Sequence, residues 1–287
     1  MTSPTSYTIG RRQFPFTRTY LMGIVNVTPD SFSDGGLYLD PDRAVAHALR
    51  LVEQGADILD IGGESTRPRG KAYGEGSQPV SADEELKRIL PVITALAGIT
   101  EVPISVDTSK SFVAREALAA GAAVVNDISG FRFDPGMPAV IAQAKATAVV
   151  MHVRGTPQTM ALNTAYVDLF GEVHAGLKAS VETGRAAGIT QIIVDPGIGF
   201  GKDAEGNLRL LNGLKEFSDL GCPILVGPSR KSFIGTILGT PPEDRLEGTI
   251  AASVVAAGRG ARFLRVHDVY AVKRALRVAD AILTAEG

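Results

Sequence analysis

The sequence predicts a single (β/α)8 TIM barrel of the α/β class, on three observations. Short, β-branched apolar runs alternate eight times with stretches of helical period, the pattern of repeated βα units on a parallel sheet. No linker or break in composition interrupts the series. At roughly 150 residues per domain, 287 residues would suggest two domains, but the unbroken repeat reads as one barrel over 20–287 behind an N-terminal extension over 1–19. Finally, the C-terminal end of every run turns polar or glycine-rich while the opposite end carries little comparable chemistry. That asymmetry is expected of a barrel whose site lies at the C-terminal strand ends.

Taken in order, the strand-like runs begin near Tyr20 (YLMGIVNV), Ala56 (ADILDIG), Pro103 (PISVD), Ala123 (AVVNDIS), Thr147 (TAVVMHV), Gln191 (QIIVDPG), Cys222 (CPILVGPS) and Ala261 (ARFLRVHDV). Each is too short for a helix and rich in Val and Ile. The helices between and after them are expected over 42–54, 82–96, 111–120, 137–144, 168–187, 207–219, 242–257 and 270–284. In the fifth, Leu169, Val173, Leu177 and Val181 recur every fourth residue while Glu172, Lys178, Glu182 and Arg185 point elsewhere, as in a helix lying on a sheet. Gly55, Gly121, Gly188, Gly221 and Gly260 stand where helix-terminating glycines belong. Glycine is in excess, 32 of 287 residues or about 11% against about 7% in average proteins, so many loops must turn sharply or approach something closely.

Composition narrows the function. With 45% hydrophobic and 21% charged residues the chain has the makings of a large core. One cysteine, Cys222, and four histidines build neither a disulfide framework nor a Cys/His zinc module. A net charge of −2 gives no field to attract nucleic acid or a lipid surface. No apolar run approaches a membrane span, and the first twenty residues lack the continuous apolar stretch of a secretory signal. A cytoplasmic location is therefore expected, and any anion site must be local.

The strand ends carry long motifs: MGIVNVTPDSFSDGG at 22–36, DIGGESTRP at 60–68, SVDTSK at 105–110, VNDISGF at 125–131, DPGIGFGK at 195–202, GPSRKSFIG at 227–235 and RVHDV at 265–269. In this order they closely resemble the dihydropteroate synthase family, folate-pathway enzymes that join a dihydropterin-methyl diphosphate to 4-aminobenzoate. The resemblance spans nearly the whole chain, and it implies a transferase, Mg2+ as cofactor, two small-molecule substrates and a homodimer. A dihydropterin edge alternates donors and acceptors, so its pocket must present buried carboxylates and amides; the resemblance assigns Asp107, Asn126, Asp195, Phe200 and Lys231 to it. The alternative for a strand-end Asp such as Asp107 is that it merely caps the next helix.

For the diphosphate, Arg265 and His267 are one residue apart on a strand, so both side chains point into the barrel mouth. The resemblance gives catalytic roles to Lys231, Arg265 and His267, and Mg2+ to Asn26 with Asp34 as a second ligand. A loop Asp before Gly-Gly is more often a turn former. For 4-aminobenzoate it implies ring contact by Phe32, with Thr66, Arg67 and Pro68 around the site. It also implies Ser232 near the carboxylate, at an expected helix start where free N–H groups favour an anion. The same residues imply sensitivity to sulfonamides.

Two motifs are decoys. Gly199 to Ala204 fits the loose dinucleotide pattern G-x-G-x-x-[GA], but in the sixth βα turn of a barrel it reads as a bend. The segment is no phosphate loop either, since Pro196 and Asp203 stand where glycine and Ser/Thr are required. His152 reads as a satisfied histidine, either in the core or supporting the site from behind, and Cys222 as a small buried residue. The departure from the family pattern is an insertion over 69–78, glycine-rich and basic at its start, which is either a lid or a tolerated surface loop. A pterin-binding methyltransferase barrel would have no use for the anion-binding residues around Lys231 and Arg265. A non-catalytic homologue would have lost one of Asp107, Asp195, Lys231 or Arg265.

Overall fold

The structure, a computed structural model, describes residues 4–28, 40–65 and 78–285. Its first elements lie in the segment read as an extension: an antiparallel hairpin of β1 (Ser6–Ile9) and β2 (Arg12–Pro15), with Ser6 opposite Pro15. Its hydrophobic pattern is two four-residue runs, too short to stand out in sequence.

The eight apolar runs form β3 (Tyr20–Asn26), β4 (Ile58–Gly62), β5 (Ile104–Asp107), β6 (Val124–Asp127), β7 (Thr147–Met151), β8 (Ile192–Asp195), β9 (Ile224–Val226) and β10 (Ala261–Val266). They close into a parallel barrel in chain order, with β10 returning to pair with β3. Residues such as those of β4, all buried, face either the barrel interior or the surrounding helices, which is why these strands read as continuous apolar runs rather than alternating ones.

Around the barrel run α1 (Pro41–Glu53), α2 (Ala82–Ile99), α3 (Ser111–Ala119), α4 (Met137–Gln143), α5 (Leu169–Ala186), α6 (Ala204–Asn212), α7 (Ser232–Leu238), α8 (Leu246–Gly258) and α9 (Val269–Thr284). The four apolar positions expected to face the sheet in α5 are all buried. The five glycines expected to stop helices all have positive φ.

Two helices differ from expectation. The one expected over 207–219 starts earlier, because Asp203 caps Gly206 N–H at 2.7 Å, and stops at Asn212; a 3-10 stretch, Leu214–Leu220, follows. The one expected over 242–257 starts at Leu246, because Arg245 turns back to donate to the Thr240 and Arg230 carbonyls. The short α7 before it ends at Gly239 with φ +71°.

Two apolar layers result. One lies between the strands and the helices. The other fills the barrel, where Met22, Ile58, Val124, Val149, Ile193, Leu225 and Phe263 meet Tyr7, Ile9 and Phe14 of the hairpin. Phe14 packs edge-on to Tyr20 at 4.9 Å between ring centroids, and Tyr20 stacks on Phe263 at 5.7 Å. The Tyr7 hydroxyl donates to the Ile192 carbonyl at 3.0 Å. The hairpin thus closes the N-terminal end of the barrel. At that rim Asp57 accepts from the Leu21 N–H and pairs with Arg18 and Lys273, so the polar groups there fasten the chain together.

Candidate active site

A cleft of about 1070 Å³ opens at the C-terminal ends of the strands. Asn26, Asp107, Asn126, Asp195, Phe200, Lys231, Ser232, Arg265 and His267 all line it, so the structure brings together every site residue expected among those it describes. Phe32, Asp34, Thr66, Arg67, Pro68 and residues 69–77 of the insertion lie outside the described residues. The segment containing 66–77 is tied where it leaves and returns: Glu64 accepts from the Val80 N–H at 3.2 Å and pairs with Lys110, which also pairs with Glu85.

Strand register sets the carboxylates. Gly62, Asp107 and Asn126 lie side by side on β4, β5 and β6, and with the two-residue alternation of a strand they share the inward face. Asp127, one residue on, faces outward, where its carboxylate accepts from the Ser129 and Phe131 N–H groups at 2.8 Å each. Asp107 does not cap the next helix: α3 has Lys110 at its N-cap position with no side-chain cap. Instead Asp107 Oδ2 accepts from Arg265 Nη2 at 2.6 Å. Arg265 Nε is bonded to Asp60 Oδ2, the same oxygen that accepts from Asn126 Nδ2 at 3.1 Å.

The field in the cleft is strong. Burial pushes the Asp107 carboxyl up to about 7, with Asp60, Glu85 and Asp127 adding to the rise and Arg265 opposing it. Asp195 is pushed up to about 6 by burial, against the Gly197 N–H bond at 2.7 Å and the charge of Lys231. Burial and the neighbouring Arg265 pull Lys231 down to about 8. Burial also works against the charge of Arg265, but Asp60 and Asp107 outweigh it and raise its pKa. Carboxyls raised toward neutrality beside cations in a cleft mark a candidate functional site.

Two turns hold the remaining groups. In the 195–202 segment a Cβ on Gly197 would lie 2.0 Å from the His152 carbonyl oxygen, and one on Gly199 would lie 2.8 Å from Lys231 Cδ. Only glycine permits this backbone, with φ of +74° and +83°, so close to its neighbours. Phe200 is thereby set with its ring centroid 4.0 Å from Lys231 Nζ. In the 227–232 turn, Arg230 adopts φ +57° and is held from three sides: its N–H bonds Thr249 Oγ1 at 3.0 Å, its carbonyl accepts from Arg245, and its guanidinium pairs with Asp268. Ser229 Oγ lies 3.0 Å from Nδ1 of His267 and fixes that ring.

Sequence reasoning missed three residues that complete the site. Asp60 is fully buried in mid-strand and carries the Arg265 and Asn126 contacts. Lys202, also buried, donates to His152 Nδ1, His152 O and Phe200 O at 2.9 to 3.0 Å. Asn207 accepts from the Gly199 N–H at 2.7 Å. The signal for Asp60 was present, an Asp inside an apolar run where an uncompensated carboxylate is costly. His152 is a satisfied histidine, as expected: burial and the adjacent Lys202 pull it down to about 3, so it accepts from the ammonium. Among the described residues no cluster of three or more His, Cys, Asp or Glu could hold a metal, and no helix is long and apolar enough to cross a membrane.

The pterin binding enzyme family matches residues 22–267. A dihydropteroate synthase of Synechocystis sp. is 50% identical over 283 residues, covering 97% of this chain and 96% of that protein. The solved dihydropteroate synthase of Xanthomonas albilineans with 4-aminobenzoic acid superposes with a TM-score of 0.90 at 44% identity, covering 99% of this chain and all of that one. That of Yersinia pestis, solved as a sulfonamide drug complex, gives a TM-score of 0.90 at 41% identity, covering 98% of this chain and all of that one.

Proposed function

The chain belongs to the pterin binding enzyme family and, within it, to the dihydropteroate synthases, transferases of folate synthesis; from that premise we propose that its cleft condenses (7,8-dihydropterin-6-yl)methyl diphosphate with 4-aminobenzoate. The observation that carries this reading is the meeting, in one cleft, of an acceptor set (Asp107, Asn126, Asp195) with a cation set (Lys231, Arg265). The first set suits the donor-rich edge of a pterin, the second its diphosphate. Asp195 accepts from the amino-pyrimidine edge while Lys231 donates to ring acceptors, with Phe200 beneath it.

In the reaction the bond from the pterin methylene to the diphosphate oxygen breaks, and a carbon–nitrogen bond to the amine of 4-aminobenzoate forms. The proton lost by the amine passes to solvent. No residue need act as nucleophile. Arg265 spends two of its five N–H donors on Asp60 and Asp107, leaving three for the departing diphosphate. His267, oriented by Ser229, supplies a further donor. Removing one such preorganised donor costs about 3 kcal/mol of transition-state stabilisation. The methylene carries cationic character delocalised into the ring as the leaving group departs. Exchange of the bridging diphosphate oxygen in the absence of 4-aminobenzoate tests this dissociative route, and no exchange in a competent complex counts against it.

The strand-end amide of Asn26 at the cleft is a hard oxygen donor compatible with Mg2+, and among the described residues no group of three or more His, Cys, Asp or Glu offers a softer site. Mg2+ is content with one protein oxygen, phosphate oxygens and water. When bound, it would neutralise charge on the diphosphate; Asn26 would hold it, with Asp34 as the second candidate. The 4-aminobenzoate carboxylate is assigned to Ser232 at the start of α7 and the ring to Phe32, Thr66, Arg67 and Pro68. Sulfonamide inhibition belongs to the same reading, supported by the Yersinia pestis complex.

A homodimer is proposed as well, supported by exposed Val255 on α8 and exposed Tyr270, Val278 and Ile282 on α9; sedimentation velocity tests it. A cytoplasmic site of action follows from the folate-synthesis assignment. The deciding assay is diphosphate release, expected to be Mg2+-dependent and strongly accelerated by 4-aminobenzoate. Release that 4-aminobenzoate does not accelerate, or none with both present, would overturn the reading.

A further inference from the structure

Asp60 differs from the other carboxylates of the cleft in position. Asp107 and Asp195 end their strands, whereas Asp60 lies two residues inside β4 and is 0% exposed. Its Oδ2 accepts from Arg265 Nε and from Asn126 Nδ2, and its Oδ1 has no hydrogen-bond partner among the described residues. A carboxylate so placed carries a heavy desolvation penalty, and a buried ion pair seldom repays it in stability. Stability therefore does not account for it.

Arg265 straddles two carboxylates, Asp60 and Asp107. On the functional reading above, on which this inference rests, Asp107 must turn its oxygens to the pterin edge. Were Arg265 oriented by Asp107 alone, ring binding and placement of the diphosphate cation would compete for one carboxylate. Asp60 removes the competition. It grips Arg265 from below the cleft floor through Nε, and through the same oxygen it grips Asn126.

We propose that Asp60 is a positioning residue that sets Arg265 and Asn126 in register through one shared oxygen, so that the placement of Arg265 does not depend on Asp107 alone. The ring half and the diphosphate half of the cleft are thereby tied to a single atom. The charged groups whose fields reach Asp107 are Arg265 from β10, Asp60 from β4, Asp127 on the outer face of β6, Glu85 from α2, and Lys231 from the turn after β9. Removing the charge of Asp60 takes away one like-charge neighbour and leaves Asp107 as the sole anionic partner of Arg265, so the Asp107 pKa falls.

The test is Asp60→Asn, which keeps the shape, with Asp60→Ala, Asn126→Ala and the Asp60→Asn/Asn126→Ala pair, assayed in the full chain by steady-state kinetics and thermal unfolding. Asp60→Asn is expected to raise KM for the pterin diphosphate about tenfold, the loss of one charge-assisted hydrogen bond, with KM for 4-aminobenzoate unchanged. The acidic limb of kcat/KM for the pterin substrate moves down from near 7, leaving Asp195 to set it near 6. The double variant loses less than the product of its two singles. An unchanged pterin KM with an unmoved limb, or singles that multiply, overturns the proposal. Should Asp60→Ala not fold, the near-isosteric Asp60→Asn decides. Wild-type turnover alongside an indifferent Asp60→Asn sinks this inference alone; no wild-type turnover sinks the functional reading and this inference with it.

Discussion

Lys231 Nζ lies 4.0 Å from the centroid of the Phe200 ring, so a half-buried ammonium whose pKa is lowered to about 8 by desolvation has a π-face as one of its walls. The ring favours the charged form, and a desolvated contact of this kind contributes about 1 to 2 kcal/mol. Phe200→Leu keeps the apolar bulk and removes the quadrupole. It is expected to raise KM for the pterin substrate about tenfold with kcat nearly preserved. An unchanged KM in steady-state assays would show that the ring acts only as filler.

The pH profile has a definite sign. On the proposed reading Asp107 and Asp195 accept two donors of the pterin edge best when ionised, so activity declines as pH falls through about 7 and then about 6. Lys231 loses its charge, and with it the charge-assisted hydrogen bond, as pH rises through about 8, so activity declines there. A plot of kcat/KM for the pterin substrate should therefore be a narrow bell centred between these values. A flat profile from pH 5 to 9 would refute these assignments.

Lys202 offers a test of the 195–202 turn. All three of its N–H donors are spent, two on main-chain carbonyls and one on His152. Lys202→Met matches its length but strands those buried acceptors, at about 1 to 3 kcal/mol for each. The melting temperature should fall, and KM for the pterin substrate should rise as Phe200 loses its tether. A fall in melting temperature alone, with KM intact, would mean that Gly197 and Asn207 suffice to hold the turn.

The barrel floor makes a separate prediction about stability. Phe14 is 2% exposed and touches Tyr20 and Phe263. Phe14→Ala should cost about 3 to 5 kcal/mol in unfolding free energy, because a plug ring cannot be replaced by collapse of a closed barrel. Urea denaturation monitored by far-UV circular dichroism measures it.

Much of this was legible in the residues themselves. Eight β-branched runs located the barrel strands within a few residues, and Asp107, Asn126, Asp195, Lys231, Arg265 and His267 do converge in space. The helix expected at 207–219 misread Asn207, which looks like a helix opener but folds back onto Gly199. Asp60 hid within a motif because hydropathy averages over a single charge, and its partner Arg265 lies 205 residues away. Lys202 gave no local signal, because its acceptors are two main-chain carbonyls and a neutral imidazole 50 residues away. Local pattern reports periodicity; it does not report which distant group compensates a buried charge.

The hairpin plug sits at the far end of the barrel from the chemistry, yet it sets the dielectric beneath it. With Tyr7, Ile9 and Phe14 packed in one apolar layer with Phe263 and Met22, the barrel interior beneath Asp107 and Asp195 is closed to water from behind. The perturbed acidities that make the cleft reactive near neutral pH are thus insulated from below by the first residues of the chain. Loosening that seal should relax those acidities toward ordinary values without moving any residue that faces the substrate.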